Sequence, residues 1–141
     1  MPADLELARG AVENGGYSVA FAAGGKIIAR GTGGGIAPLL EALEGIDASL
    51  AGIAAADRVV GLAAALFLKS PQVGVVYGQI MSRGARAHLE AEGIDTVAGD
   101  LVPRIMNRDN TGACPMEKMA MGEDNPDVAR ERIRTLVRGD E

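Results

Sequence analysis

The side chains best suited to chemistry lie in one run, Asn107-Arg108-Asp109-Asn110-Thr111-Gly112-Ala113-Cys114-Pro115-Met116-Glu117. Proline is favoured at the first position of a helix, where its missing N–H costs nothing. Pro115 therefore places Cys114 at the N-cap and Glu117 at the third helical position, the spacing of a capping box. The helix dipole and the free backbone N–H groups favour negative charge at that cap. A thiol so placed can have a depressed pKa and become nucleophilic. Glu117 is the candidate general base, although its charge would oppose a thiolate. Three roles stay open for Cys114: an inert helix cap, a ligand contact, or a nucleophile.

The residues just before it are dense in hydrogen-bonding groups. Arg108 can clamp a carboxylate or phosphate through two parallel N–H bonds, and a helix N-terminus beside it is a ready anion site. Asn107, Asp109 and Thr111 would complete such a pocket. The competing reading pairs Arg108 with Asp109 and leaves Asn110, Thr111 and Gly112 to shape the turn. Upstream, backbone amides of Gly31-Thr32-Gly33-Gly34-Gly35 could cradle an anion. That run is neither a dinucleotide fingerprint nor a P-loop, and a flexible turn explains it equally. Asp57 and Arg58 are read at the start of an alanine-rich helix, with Asp57 as its N-cap. Ser82 is read as the cap of the next helix, and His88 is placed with Arg86 and Glu90 on that helix's solvent side.

The elements that position these residues follow from pattern. Apolar Leu5, Ala8 and Val12 recur at helical spacing over Ala3 to Glu13, and Asn14-Gly15-Gly16 ends that helix. Tyr17 to Ala22 and Lys26 to Arg30 read as strands joined by Gly24-Gly25, a pair that accepts the positive φ of a hairpin turn. Ile36 to Leu43 is a helix, Leu50 to Ala55 a short buried strand, and Asp57 to about Lys69 the alanine-rich helix. Gln72 to Gly78 is a strand, Ser82 to Glu92 a helix ended by Gly93, and Ile94 to Ala98 a strand. Pro115 to Met121 is a short helix. Asn125-Pro126 opens a terminal helix with Ala129, Ile133 and Leu136 or Val137 inside. Helix, hairpin, then alternation imply an α/β fold: a mixed β-sheet with helices on both faces.

Composition narrows the function. The chain has 141 residues, the usual size of one domain. A hydrophobic share of 48% can bury a core, but with two Phe, two Tyr and no Trp that core is built of Ala, Val, Ile and Leu. The net charge is −5, and the basic residues Arg130, Arg132, Arg134 and Arg138 alternate with acids, so no nucleic-acid partner is expected. The single cysteine and single histidine fall short of the roughly four ligands zinc takes, so no metal or cofactor is expected. Lack of an intramolecular disulfide suits a reducing compartment. The acidic start, Met1 to Glu6, lacks the pattern of a signal peptide. The apolar run Gly61 to Leu68 is far shorter than the ~20 residues of a membrane span. The expected location is cytoplasmic, with no membrane partner.

Three stretches carry a family resemblance: Gly35-Ile36-Ala37-Pro38-Leu39, Asp57 to Ala65, and Leu101 to Glu117, of which the last is the specific one. Together they resemble a prokaryotic domain-of-unknown-function family placed among the cytidine-deaminase-like folds. The similarity spans residues 3 to 121, with the helix from 126 to 138 as an addition within a single domain. The resemblance implies a three-layer deaminase-like sandwich in which Asp57 stands where that fold places its first catalytic group. One departure is Leu62, where the family is expected to carry lysine.

A zinc deaminase needs a His or Cys followed by Glu, and then two further cysteines. Ala54-Ala55-Ala56-Asp57 and Met81-Ser82-Arg83-Gly84 supply none of these. The expectation is a zinc-free domain that binds a small, anionic or nucleotide-like molecule through Asp57, Arg58, Ser82, Asn107, Arg108, Asp109, Thr111 and Cys114. One alternative is a metal-independent enzyme with Cys114 as nucleophile or group carrier. Another is an oligomerisation or protein-interaction module. A homodimer or larger assembly is expected, since deaminase-like domains commonly pair. Desalted protein should contain no stoichiometric zinc by elemental analysis, and one zinc per chain would overturn the metal-free reading.

Overall fold

Small side chains set the spacing of the layers. The computed structural model describes residues 2–70, 72–105 and 125–138. Within them a five-stranded sheet runs in the order β2-β1-β3-β4-β5. Helix α1 (Pro2–Glu13) precedes β1 (Val19–Ala23) and β2 (Lys26–Gly31). The two strands form an antiparallel hairpin. Its turn residues have positive φ, 60° at Gly24 and 82° at Gly25, as a two-residue hairpin turn with the native twist requires. The Gly25 amide donates to Asp4 Oδ1 of α1 at 2.8 Å, which docks the turn on the helix.

After α2 (Ala37–Glu44), β3 (Ile53–Val60) enters between β1 and β4. It is antiparallel to β1 and parallel to β4 (Val73–Ser82), and β4 is parallel to β5 (Asp95–Val102). The crossovers are α3 (Leu62–Leu68) and α4 (Arg83–Ala91). Two crossovers stepping the same way across a sheet place their helices on one face when both are right-handed.

Alternation along each strand sends neighbours to opposite faces. Val19, Phe21, Ile53, Ala55 and Val76 face α2, α3 and α4, with Leu39, Leu66, Phe67, Leu68 and Leu89 in the same core. Ala20, Ala22, Ala56 and Tyr77 face α1 through Ala8 and Val12. The last helix, α5 (Pro126–Arg138), buries Ala129 and Ile133 in the larger core. Asn125 caps it, its Oδ1 accepting from the Asp127 amide at 2.9 Å and the Val128 amide at 3.4 Å. Among the described residues no helix is long and apolar enough to cross a membrane.

Two expectations need correction. The alanine-rich helix does not begin at Asp57. Asp57 to Val60 continue β3, paired with Gly78 to Met81 of β4, and α3 begins after Gly61. Ala54, Ala55 and Ala56 are extended because strands lie on both sides, so context overrides alanine's helix preference. Likewise β4 and β5 run four residues past the ends expected at Gly78 and Ala98.

Close approach explains Gly78 and Gly99 inside these strands. A Cβ at Gly99 would lie 2.7 Å from the Gln79 carbonyl oxygen and 3.0 Å from the Tyr77 hydroxyl. That hydroxyl donates to Glu13 of α1. The Arg9 guanidinium lies 4.7 Å from the Tyr77 ring centre and 3.2 Å from the Glu13 carboxylate. The group ties α1 to the sheet beside the site of closest backbone approach. The outer strands carry opposite charges: Lys26 and Arg30 are exposed on β2, and Asp95 and Asp100 on β5. Gly99→Ala should lower stability by about 1–3 kcal/mol through overpacking, read from urea unfolding. An unchanged midpoint would show that the backbone yields freely there.

Candidate functional site

The run from Asn107 to Glu117 lies outside the described residues, and with it Asn107, Arg108, Asp109, Thr111, Cys114 and Glu117. Of the residues singled out in the sequence, Asp57, Arg58, Ser82 and the glycine turn can be placed. Because β2 is antiparallel to β1, and β1 to β3, the C-terminal ends of β2, β3, β4 and β5 all lie at one end of the sheet. Helices α2, α3 and α4 follow from that same end.

Strand β3 outruns β1 there. Val19–Asp57 is the last aligned pair, and beyond it the Arg58 amide donates to the Ser18 carbonyl at 3.0 Å. Ser18 is buried, and both its amide (2.9 Å) and its hydroxyl (3.2 Å) donate to the Gly31 carbonyl. This knot holds the glycine turn against β3. Gly31 sits in close contact there: a Cβ would come within 3.2 Å of Pro38 and Val19, so those neighbours would have to shift by a few tenths of an ångström. Gly33 and Gly35 have φ of 112° and 73°, in the region L side chains avoid. Arg58 is exposed, and its Nη2 donates to the Gly33 carbonyl at 3.3 Å. A guanidinium carries five N–H donors, so among the described residues others remain for a ligand.

Asp57 is half-buried, in register with Val19 on the face that α2 to α4 cover. Its Oδ1 accepts from the Val59 amide at 3.3 Å. Burial pushes its carboxyl up to about 7, against the opposing pull of the Val59 and Arg58 amides and the Arg58 guanidinium. It is therefore not a helix cap; Gly61 takes that place with no side-chain cap bond. A carboxyl that titrates near neutrality can give or take a proton at working pH. Ser82 caps α4 as expected, its Oγ accepting from the Ala85 amide at 3.1 Å. It stands four residues past Gly78, the β4 partner of Asp57, which is ~13 Å along the strand. Arg58 and the glycine turn thus come together, the Arg58 charge reaches the Asp57 carboxyl, and Ser82 stays apart.

Leu62, the first residue of α3, lies against the start of α4, where a Cβ on Gly84 would be 3.5 Å from it. Ser18, the residue that ties the turn to β3, went unnoticed in the sequence; no motif marks it. His88 is half-buried rather than on the solvent side. Among the described residues no group of three or more His, Cys, Asp or Glu is arranged to hold a metal.

Residues 8–137 match the family model described as "TM1506: Domain of unknown function (DUF1893)". The chain belongs to that family. The matched residues run into α5 as far as residue 137. A crystal structure of a DUF1893 family protein, TM1506 from Thermotoga maritima, shares the fold with a TM-score of 0.78. It is 23% identical, over 88% of this chain and 83% of that one. No curated protein matches the chain.

For this DUF1893 member the raised Asp57 carboxyl sets a pH dependence. An unfolded carboxyl ionises near 3.8, whereas the folded one holds its proton up to about 7. Between those values the unfolded state binds fewer protons, so the Asp57 contribution falls as pH rises through the window. Asp57→Asn should therefore gain stability relative to the parent on going from pH 4 to pH 8. The gain should be on the order of 1–2 kcal/mol after allowance for solvent at its open side. Parallel stability–pH curves for the two proteins would refute the assignment.

Proposed function

We propose that this DUF1893 protein binds a small anionic or nucleotide-like molecule at the end of the sheet where Asp57, Arg58 and the glycine turn meet. The observation that carries this is the docking of the Arg58 guanidinium on Gly33 beside a carboxyl that titrates near 7. Ligands of open α/β sheets bind outside the carboxyl ends of the strands, and four strands end here. Arg58 would take the anionic group, and Asp57 would exchange a hydrogen bond with a donor or acceptor on the ligand. The reading takes the fold as a degenerate, zinc-free deaminase-like sandwich. On that reading Asn107, Arg108, Asp109, Thr111 and Cys114, chosen from the sequence alone, would be the further lining residues.

Catalysis without metal is the second reading, favoured by the near-neutral Asp57 carboxyl. It would use Cys114 as nucleophile with Glu117 as base. A homodimer or larger assembly fits beside either reading. Val59 and Ile80, adjacent in register and 41% and 38% exposed, offer an apolar pair near this end of the sheet.

Thermal-shift measurements with nucleoside monophosphates, nucleosides, dicarboxylates and inorganic phosphate test the binding reading. A ligand at a hundred times its dissociation constant adds about 2.7 kcal/mol of stability, a readily visible rise in Tm. One anionic class should raise Tm in the parent protein and lose most of that effect in Arg58→Gln. If no compound shifts Tm, or the shift survives Arg58→Gln unchanged, the proposed site is wrong.

A further inference from the structure

On the side of the sheet covered by α2 to α4, two helix ends and the flank of α5 form a corner. Helix α3 closes on Lys69, and α4 carries His88 in its last turn and closes on Glu92. Helix α5 lies on α3: Arg130 Nη1 donates to the Leu66 carbonyl at 3.0 Å, and the Arg134 guanidinium lies 5.1 Å from the Phe67 ring centre. Into this corner His88 places an imidazole whose Nε2 is buried and has no hydrogen-bond partner among the described residues. We infer that His88 makes the docking of α5 a pH-sensitive latch, firm while the imidazole is neutral and loosened when it takes a proton.

The groups around the ring decide the direction. The charges that bear on the ring are Lys69 of α3 and Arg130 of α5, both cationic, and Glu92, one turn along α4 from His88. Glu92 is already 3.8 Å from the Lys69 ammonium, and Arg130 is already paired with Asp127. Arg86 and Glu90, also on α4, pair with each other at 3.3 Å, and Glu90 accepts from the Thr96 hydroxyl at 2.9 Å. A neutral imidazole needs one donor satisfied, whereas an imidazolium has two. The second would be a buried N–H without an acceptor among the described residues, and its charge would compete with Lys69 and Arg130 for carboxylates already paired with them.

Burial first, and then Lys69 and Arg130, hold the imidazole below its ordinary value, with Glu92 pulling the other way. The dipole at the C-terminus of α4 favours the cation and acts with Glu92 against these. Release of α5 would carry Arg130 away, so the undocked state accepts a proton more readily. By linkage, docking has its full strength above the free-imidazole value of about 6.5 and weakens as pH falls below it.

Hydrogen–deuterium exchange of the intact protein, corrected for the intrinsic pH dependence of amide exchange, tests this at about pH 7.5 and about pH 5.5, the range in which histidine switches. Peptides from α5 should lose protection on acidification while those from α1 do not. The loss should be up to about tenfold for each pH unit that separates the docked from the undocked titration. His88→Gln should abolish the loss and Arg130→Gln should reduce it. Equal loss in His88→Gln, or no loss in the parent, would overturn the latch. His88 is also the single histidine in the chain, so its ring signals can be followed by NMR whether or not a variant folds. Titration at or above the free-imidazole value would overturn the latch as well.

Discussion

The central strand is walled in on every side, and the rest of the molecule is arranged around that constraint. Ala54, Ala55 and Ala56 are at most 1% exposed, hydrogen-bonded to β1 on one edge and β4 on the other, with helices over both faces. Nothing larger than a methyl group projects from this stretch. The layers above and below can therefore close, and Tyr77 and Phe21 fill the space to either side. Reversal of direction between β1 and β3, followed by parallel strands, brings four strand ends together at one rim. There β3 runs past β1, and Asp57 and Arg58 lie where the pairing with β1 ends.

Local chemistry that acts over a few residues was legible in the sequence. The Gly24-Gly25 turn, the Ser82 and Asn125 caps and the Leu5, Ala8 and Val12 stripe all appear where pattern places them. The boundary between β3 and α3 was not legible, because a run of alanine followed by Asp resembles a capped helix start. Only pairing with residues far along the chain shows that Asp57 lies in a strand. The same limit applies to the candidate site. Arg58 and Gly33 are 25 residues apart, and neither carries a mark of the other. The Asn107 to Glu117 run, the strongest local signal of all, falls outside the described residues, so its bearing on this rim rests on sequence alone.

The two faces of the sheet use polar groups differently. Beneath α1 the Arg9, Glu13 and Tyr77 side chains satisfy one another. The Tyr77 hydrogen bond holds the Glu13 carboxyl below its usual range, while burial and that carboxylate hold the tyrosine above its own. Such a closed set spends its hydrogen bonds internally and fastens a helix. On the opposite face, among the described residues, Asp57 has only backbone amides and a neighbouring guanidinium to oppose its burial, and that imbalance sets it apart from a purely structural group.

The charges on the outer strands bear on how copies of the chain can meet. Two β2 edges brought together would set Lys26 and Arg30 against their own kind, and two β5 edges would do the same with Asp95 and Asp100. Like charges across a strand pair are unfavourable, so neither exposed edge suits a two-fold partner. A β2 edge against a β5 edge would be attractive, but that contact is head-to-tail and leaves a free edge at each end. Among the described residues, then, the edges resist closed pairing and leave only an open, chain-forming association. Added salt would act on both contacts, relieving the repulsion and the attraction alike. Turbidity that varies with ionic strength would be the visible sign of an open-ended contact rather than of unfolding.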